Sequence, residues 1–268
     1  MKKPNVHFVH KYLLSPVNPI TVNVIGAGGT GSHLLEALAR IHFILTATGR
    51  AGFQVQVFDH DVIESPNMGR AAFNENYLGL NKAVAVINHI NRKYGTNWKG
   101  IPFNYVPKNR KSIPKDRLAN LTFTCVDSAQ ARIAIAEVLK MIGGSREIDR
   151  HRDRPLYLID MGNDRKTGQV MLSTLTQIVQ PESELFEPVE VLPLLTDEFA
   201  ELLSGTDDKN ETPSCSILDA LNKQSLFINS TLANLAGALL DEMLSDGVIT
   251  VRGFFVNLET YTVNPVKL

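Results

Sequence analysis

The sequence predicts an α/β fold in which a largely parallel sheet carries helices on both faces. Two observations predict it. Short β-branched runs alternate with segments whose apolar residues recur at helical spacing. The first such run leads straight into a glycine-rich turn, and the first helical segment follows that turn. Alternating strands and helices need crossover connections, and these bring neighbouring strands together in parallel.

Each element has its own signature. Ile20 to Ile25 reads as a strand that ends in glycines. In Ser32 to Leu45, the residues Leu34, Leu38, Ile41 and Leu45 share one helical face. Phe53 to Phe58 alternates around Val55 and Val57 as a second strand would. Ala83 to Ile90 reads as a helix that packs Val84, Ile87 and Ile90 on one side. Leu121 to Val126 is a third strand, and Ala131 to Ile142 a helix that Gly143-Gly144 stops. Beyond Pro155, strands are expected at Leu156 to Asp160, Gln169 to Val179 and Val248 to Leu258. One or two long helices are expected over Ser216 to Leu244. Pro181 to Ser214 holds ten acidic residues and one basic residue, Lys209, and reads as an acidic surface excursion. A short helix is expected within Val191 to Leu203. A connection of this length tends to be functional or disordered.

Composition excludes several function classes. The 268 residues carry 27 Lys+Arg and 28 Asp+Glu, a formal charge of −1 at pH 7. That balance removes the electrostatic case for a general nucleic-acid binder, which needs a basic face. No run of about 18 apolar residues occurs, so no membrane span is expected. Met1 to Ile20 is polar, holds Pro4, Pro16 and Pro19, and lacks the apolar core of a signal peptide. Cys125 and Cys215 are too few for a disulfide framework or a four-thiolate zinc site. The expectation is a cytoplasmic globular protein.

Gly26-Ala27-Gly28-Gly29-Thr30-Gly31 meets the G-x-G-x-x-G spacing directly between a strand and a helix. Glycines there allow a tight turn and close approach of the backbone to a phosphate, and the helix N-terminus presents free N–H groups to the anion. Asp59 ends the second strand, where a carboxylate accepts hydrogen bonds from ribose hydroxyls. A dense polar stretch then runs from Asp59 through His60, Asp61, Asn67 and Arg70, and Lys82 opens the next helix. A dinucleotide has no use for Asn, Arg and Lys here, because its pyrophosphate already lies on the glycine turn. A triphosphate cleaved between its α and β phosphates does use them, because cations stabilise the charge that develops.

With these residues in view, the sequence resembles the adenylating enzymes of the ThiF, MoeB and HesA type, relatives of the ubiquitin-activating enzymes. The family's Gly-x-Gly-Gly-x-Gly-Ser motif is matched by Gly26 through Ser32. Its Asp-x-Asp-x-Val/Ile-x-x-Ser-Asn-Leu-x-Arg stretch is matched from Asp59 to Arg70, with Pro66 inserted and Met68 replacing leucine. A strand-end Asp followed by Asn and Arg is matched by Asp127-Ser128 and Arg132, with Ser replacing the Asn. Thr167-Gly168-Gln169-Val170 resembles a later Gly-Gln-Val element. Among ThiF-type proteins the likeness is greatest to those of PRTRC gene clusters, which accompany a small ubiquitin-like protein.

The resemblance implies a ThiF/MoeB-like fold over 1–268. A Rossmann-like ATP-binding half at 20–155 is followed by mixed sheet and helices at 156–268, with an acidic crossover loop at about 181–214. It also implies adenylation of the C-terminal carboxylate of a ubiquitin-like β-grasp protein, with ATP and Mg²⁺, by a homodimer. Gly26, Gly28, Gly29, Gly31, Asp59, Asp61, Asn67, Arg70 and Lys82 would hold the nucleotide. Arg70, Lys82, Asp127 and Cys215 would be catalytic, and Asp127 would hold the metal. A hard carboxylate suits an ion shared with phosphate oxygens; the plain alternative for Asp127 is a helix N-cap. Cys215, at the start of an expected helix, is the candidate thioester nucleophile, whereas Cys125 lies in an apolar strand and reads as core.

The chain departs from the family in three further ways. Thr46 to Gly52, inserted before the second strand, delays Asp59 to 28 residues past Gly31, late for a ribose carboxylate. The chain lacks the two Cys-x-x-Cys pairs of a structural zinc. Its first twenty residues contain no arginine, only Lys2, Lys3 and Lys11, where many relatives supply one to a partner's ATP. An NAD-dependent oxidoreductase and a non-catalytic scaffold for a ubiquitin-like partner are the alternative functions.

Overall fold

The computed structural model describes residues 3–106, 115–198 and 224–268. In chain order the elements are β1 (Asn5–Phe8), α1 (Lys11–Leu14), β2 (Ile20–Ile25), α2 (Gly29–Ala47), β3 (Phe53–Phe58), α3 (Lys82–Tyr94), β4 (Lys99–Ile101), β5 (Leu121–Thr124) and α4 (Ala129–Gly143). There follow β6 (Tyr157–Asn163), β7 (Thr167–Thr174), β8 (Glu187–Pro188), α5 (Leu195–Glu198), α6 (Ile228–Ser245), β9 (Val248–Ile249), β10 (Val251–Asn257) and β11 (Thr262–Lys267).

Eight strands form the main sheet in the order β11-β10-β7-β6-β5-β2-β3-β4. From β6 to β4 every pairing is parallel, and from β6 to β11 every pairing is antiparallel. The α/β fold with helices on both faces is therefore present. Helices α2, α3 and α6 bury Leu34, Leu38, Val86, Ile90, Leu232 and Leu239 in the larger core, against Val22, Val24, Val55 and Val57 of the sheet. Helix α4 packs Ile135, Leu139 and Ile142 on the other face, with Ile25, Phe58 and Leu158. Burial of side chains of this size stabilises by about 1.5–3 kcal/mol each.

The order of strands creates the site. The chain leaves β2 towards β3 on one side and returns to β5 on the other, so the crossovers diverge at the carboxyl ends of β2 and β5. Open α/β sheets bind ligands in that crevice.

Several expectations are refined. The third strand stops at Thr124 and the strand from Gln169 at Thr174. The long helix begins at Ile228, and its expected part over 216–223 lies outside the described residues. Part of the acidic stretch, 181–198, is not a free excursion. Its β8 pairs in parallel with β1, while β9 pairs with β1 from the other side, making a small three-stranded sheet. There His7, with 0% exposure, hydrogen-bonds through Nδ1 to the Val189 carbonyl at 2.6 Å and through Nε2 to the Tyr157 hydroxyl at 2.9 Å. Among the described residues, no helix is long and apolar enough to cross a membrane.

Candidate nucleotide site

The loops at the switch point enclose a cavity of about 340 Å³. Gly26, Gly28, Gly29, Asp59, Asp61, Asn67, Arg70, Lys82 and Asp127 all line it. Residues spread over some 100 positions are thus drawn to the carboxyl ends of β2, β3 and β5. Cys215 lies outside the described residues.

The four glycines have different reasons to be glycine. Gly26 has φ +95°, and a Cβ there would lie 2.7 Å from the Cys125 carbonyl oxygen. Gly31 lies behind the turn, where a Cβ would meet the Gly26 carbonyl oxygen at 1.9 Å. At Gly29 a Cβ would fall 2.4 Å from Asn229 Nδ2, whereas at Gly28 it would meet nothing within 4 Å. Only Gly28 therefore leaves its space open to the cavity.

Asp59 follows β3 although it stands 28 residues past Gly31. The 19-residue helix α2 and the turn after it absorb that length. Asp59 Oδ2 accepts the Ala27 N–H at 2.7 Å, and Oδ1 accepts the Asp61 N–H at 2.9 Å. Burial pushes its pKa up, and those two N–H groups and Lys82 oppose the shift. Its side chain thus ties the glycine turn to the end of β3.

Asn81 caps α3, accepting the Val84 N–H at 3.1 Å through Oδ1. Its Nδ2 donates to the carbonyls of Asp59 at 2.9 Å and Asp61 at 3.0 Å. Lys82 is thereby fixed in the first turn of α3, where a cation opposes the helix dipole. Its ammonium meets Asp61 Oδ2 at 2.8 Å. The inserted Pro66 is absorbed by a 3₁₀ turn over Ser65–Asn67, where its fixed φ is at home, and Asn67 Oδ1 closes the turn on the Glu64 N–H at 2.9 Å.

Across the cavity Arg70 faces Asp127. Burial pulls the Arg70 pKa down, and the Asp127 carboxylate counters it. Asp127 is exposed and does not cap α4; Ser128 does, accepting the Ala131 N–H at 3.0 Å. The carboxylate at the end of β5 is thus left to face the cavity. Among the described residues, Asp59, His60 and Asp61 form a group of three ligand-type side chains that lie close together. Asp61 is engaged there by Lys82 and His60, and both Asp59 oxygens accept backbone N–H groups. Cys125, expected in the core of a strand, instead lies just past β5, where it is half-buried against the larger core and lines the cavity; burial raises its pKa.

Sequence reasoning missed three contributors. Arg132 donates from Nη2 to the Met161 carbonyl at 2.7 Å and lies 3.5 Å from Asp160. Gln224 and Asn229 reach the cavity from just before and within α6. Arg132 stood within a matched motif, but no local signal marks the other two.

A family model described as "ThiF family" matches residues 5–263. The chain belongs to the ThiF family. Ubiquitin-like modifier-activating enzyme 5 of Caenorhabditis elegans is 30% identical over 125 residues, 43% of this chain and 28% of that protein. The same-named protein of Bombyx mori is 32% identical over 125 residues, 43% of this chain and 30% of that protein. The chain thus spans less than a third of the length of these relatives. Among solved structures, PaaA aligns with TM-score 0.57 at 13% identity, over 96% of this chain and 74% of PaaA. Escherichia coli MccB, solved with ATP, aligns with TM-score 0.56 at 15% identity, over 95% of this chain and 64% of MccB. At such identities the likeness is one of fold.

Proposed function

We propose that the protein adenylates the C-terminal carboxylate of a small ubiquitin-like β-grasp protein, with ATP as the second substrate. One observation carries this reading: Arg70, Lys82 and Asp127 converge on the cavity that Gly28 and the start of α2 open. The glycine turn suits one phosphate; two further cations and a carboxylate suit the rest of a triphosphate and its counter-ion. Membership of the ThiF family and the names of the relatives support an adenylyltransferase-type activity.

In this reading Asp59 and Asp61 lie on the ribose side, and Asn67, Arg70 and Lys82 hold the phosphates. A carboxylate oxygen of the partner attacks the α-phosphorus, the α–β bridging P–O bond breaks, and pyrophosphate leaves from an acyl-adenylate. Arg70 and Lys82 stabilise the negative charge on the departing oxygens in a half-buried site, where such contacts are stronger than in water. Asp127, an exposed carboxylate aimed at the cavity, fits Mg²⁺, which would supply charge neutralisation at the phosphate oxygens. A thiolate at Cys215 would then attack the acyl carbon and expel AMP, leaving a thioester. A homodimer is part of the same proposal.

The test is ATP–pyrophosphate exchange with and without the β-grasp partner. Exchange that requires the partner is expected. ATP binding without exchange, with the partner present and bound, would overturn adenylation in favour of a scaffold.

A further inference from the structure

We infer that Gln224 and Asn229 are positioning residues that set Arg70 against the N-terminus of α2. The inference rests on the triphosphate reading of the site. Asn229, 1% exposed, accepts the Thr30 hydroxyl at 2.9 Å through Oδ1 and donates from Nδ2 to Gln224 Oε1 at 3.0 Å. The same Gln224 oxygen accepts from Arg70 Nη1 at 3.4 Å, and Asn229 Nδ2 lies 3.5 Å from the Arg70 carbonyl oxygen.

A continuous chain of hydrogen bonds therefore runs from Thr30, in the first turn of α2, to the Arg70 guanidinium. Its two ends are the cavity's two kinds of anion donor, the helix N-terminus and a cation. Gly29 fits this arrangement: a Cβ there would meet the Asn229 amide at 2.4 Å, so the missing side chain makes room for Asn229 rather than for a phosphate. Ser32 reinforces the link, donating to the Gly29 carbonyl at 3.0 Å and accepting the Ala72 N–H at 2.9 Å. The spacing between helix N-terminus and guanidinium is thus fixed before any ligand arrives, and a ligand spanning both gains from that preorganisation.

The test is a double-mutant cycle on the full chain, read by calorimetric titration with two probes, MgATP and inorganic tripolyphosphate. Gln224 is half-buried at the cavity edge, so Gln224→Ala is the variant of choice; Asn229→Ala, in the core, is read only if its thermal unfolding stays cooperative. Gln224→Ala is expected to weaken binding about tenfold in the native background and less than twofold in Arg70→Ala. Equal losses in both backgrounds, or no loss in the native one, would overturn positioning through Arg70. Tripolyphosphate bound without MgATP would overturn the adenylation reading yet leave the cycle readable. Binding of neither probe would overturn both.

Discussion

The Arg132 guanidinium occupies the space that a side chain on Gly162 would need: a Cβ there would lie 1.4 Å from Nη2. From this berth Arg132 holds the Met161 carbonyl of β6 at 2.7 Å and, more loosely at 3.4 Å, the Val126 carbonyl just before Asp127. Its partner Asp160 lies 3.5 Å away, and both side chains are 7% exposed. Losing one member of a buried pair leaves the other charge uncompensated, at about 3–5 kcal/mol. Arg132→Ala and Gly162→Ala are therefore each expected to lower Tm by about 10 °C in calorimetry. A loss under about 2 °C in either would contradict the clip between β5 and β6.

Gly28 and Gly29 are adjacent in one motif but should respond differently to alanine. Gly28→Ala meets no atom within 4 Å and is expected to leave Tm unchanged while weakening MgATP binding. Gly29→Ala displaces Asn229 and is expected to lower both. Thermal melts alongside nucleotide titrations separate the two.

Lys82→Ala should abolish ATP–pyrophosphate exchange and leave the fold intact. Its ion pair with the half-exposed Asp61 is of a kind that contributes about 0–1 kcal/mol. Unaltered circular dichroism with exchange lost is the expected result, and undiminished exchange would remove Lys82 from the chemistry.

Acid should weaken the packing around the buried and half-buried histidines, His7 and His10 at the amino end together with His33 and His42 in α2. Burial holds His7 below the ordinary histidine range, and burial, Arg154 and Lys11 together hold His10 down to about 4. In the unfolded chain a histidine protonates at about 6.5, so between those values the unfolded state binds more protons and stability falls as pH falls. Melts from pH 7 to 5 should show a declining Tm. His10→Asn keeps a side chain able to cap α1 but cannot titrate, and should flatten the decline. An identical slope in the variant would refute the assignment.

Local pattern made the central βαβ unit legible. Ile20–Ile25 and Phe53–Phe58 match their expected bounds because each carries its own apolar alternation or run beside a glycine signal. The strands that escaped notice depend on distant partners. Asn5–Phe8 is only four residues long and is defined by pairing with 187–188 and 248–249. Thr262–Lys267 is an exposed edge in which Asn264 and Pro265 interrupt the β-branched Thr262, Val263 and Val266, and a proline inside a short run argues against a strand. At the site, charged residues clustered in sequence were legible. Asn229 was not, because an asparagine opening an apolar helix reads as ordinary until Thr30 and Gln224 are seen beside it.

The small sheet around β1 has a consequence for the order of assembly. Val6 and His7 are synthesised early, yet their strand partners are Pro188 on one side and Ile249 on the other. During synthesis this strand has neither neighbour until about 180 further residues have followed it. Contacts of such sequence separation carry a loop-closure cost that local helices escape, and they slow folding. Closing β1 on both sides thus waits until Ile249 has emerged, by which time β2 to β6 are already available to pair.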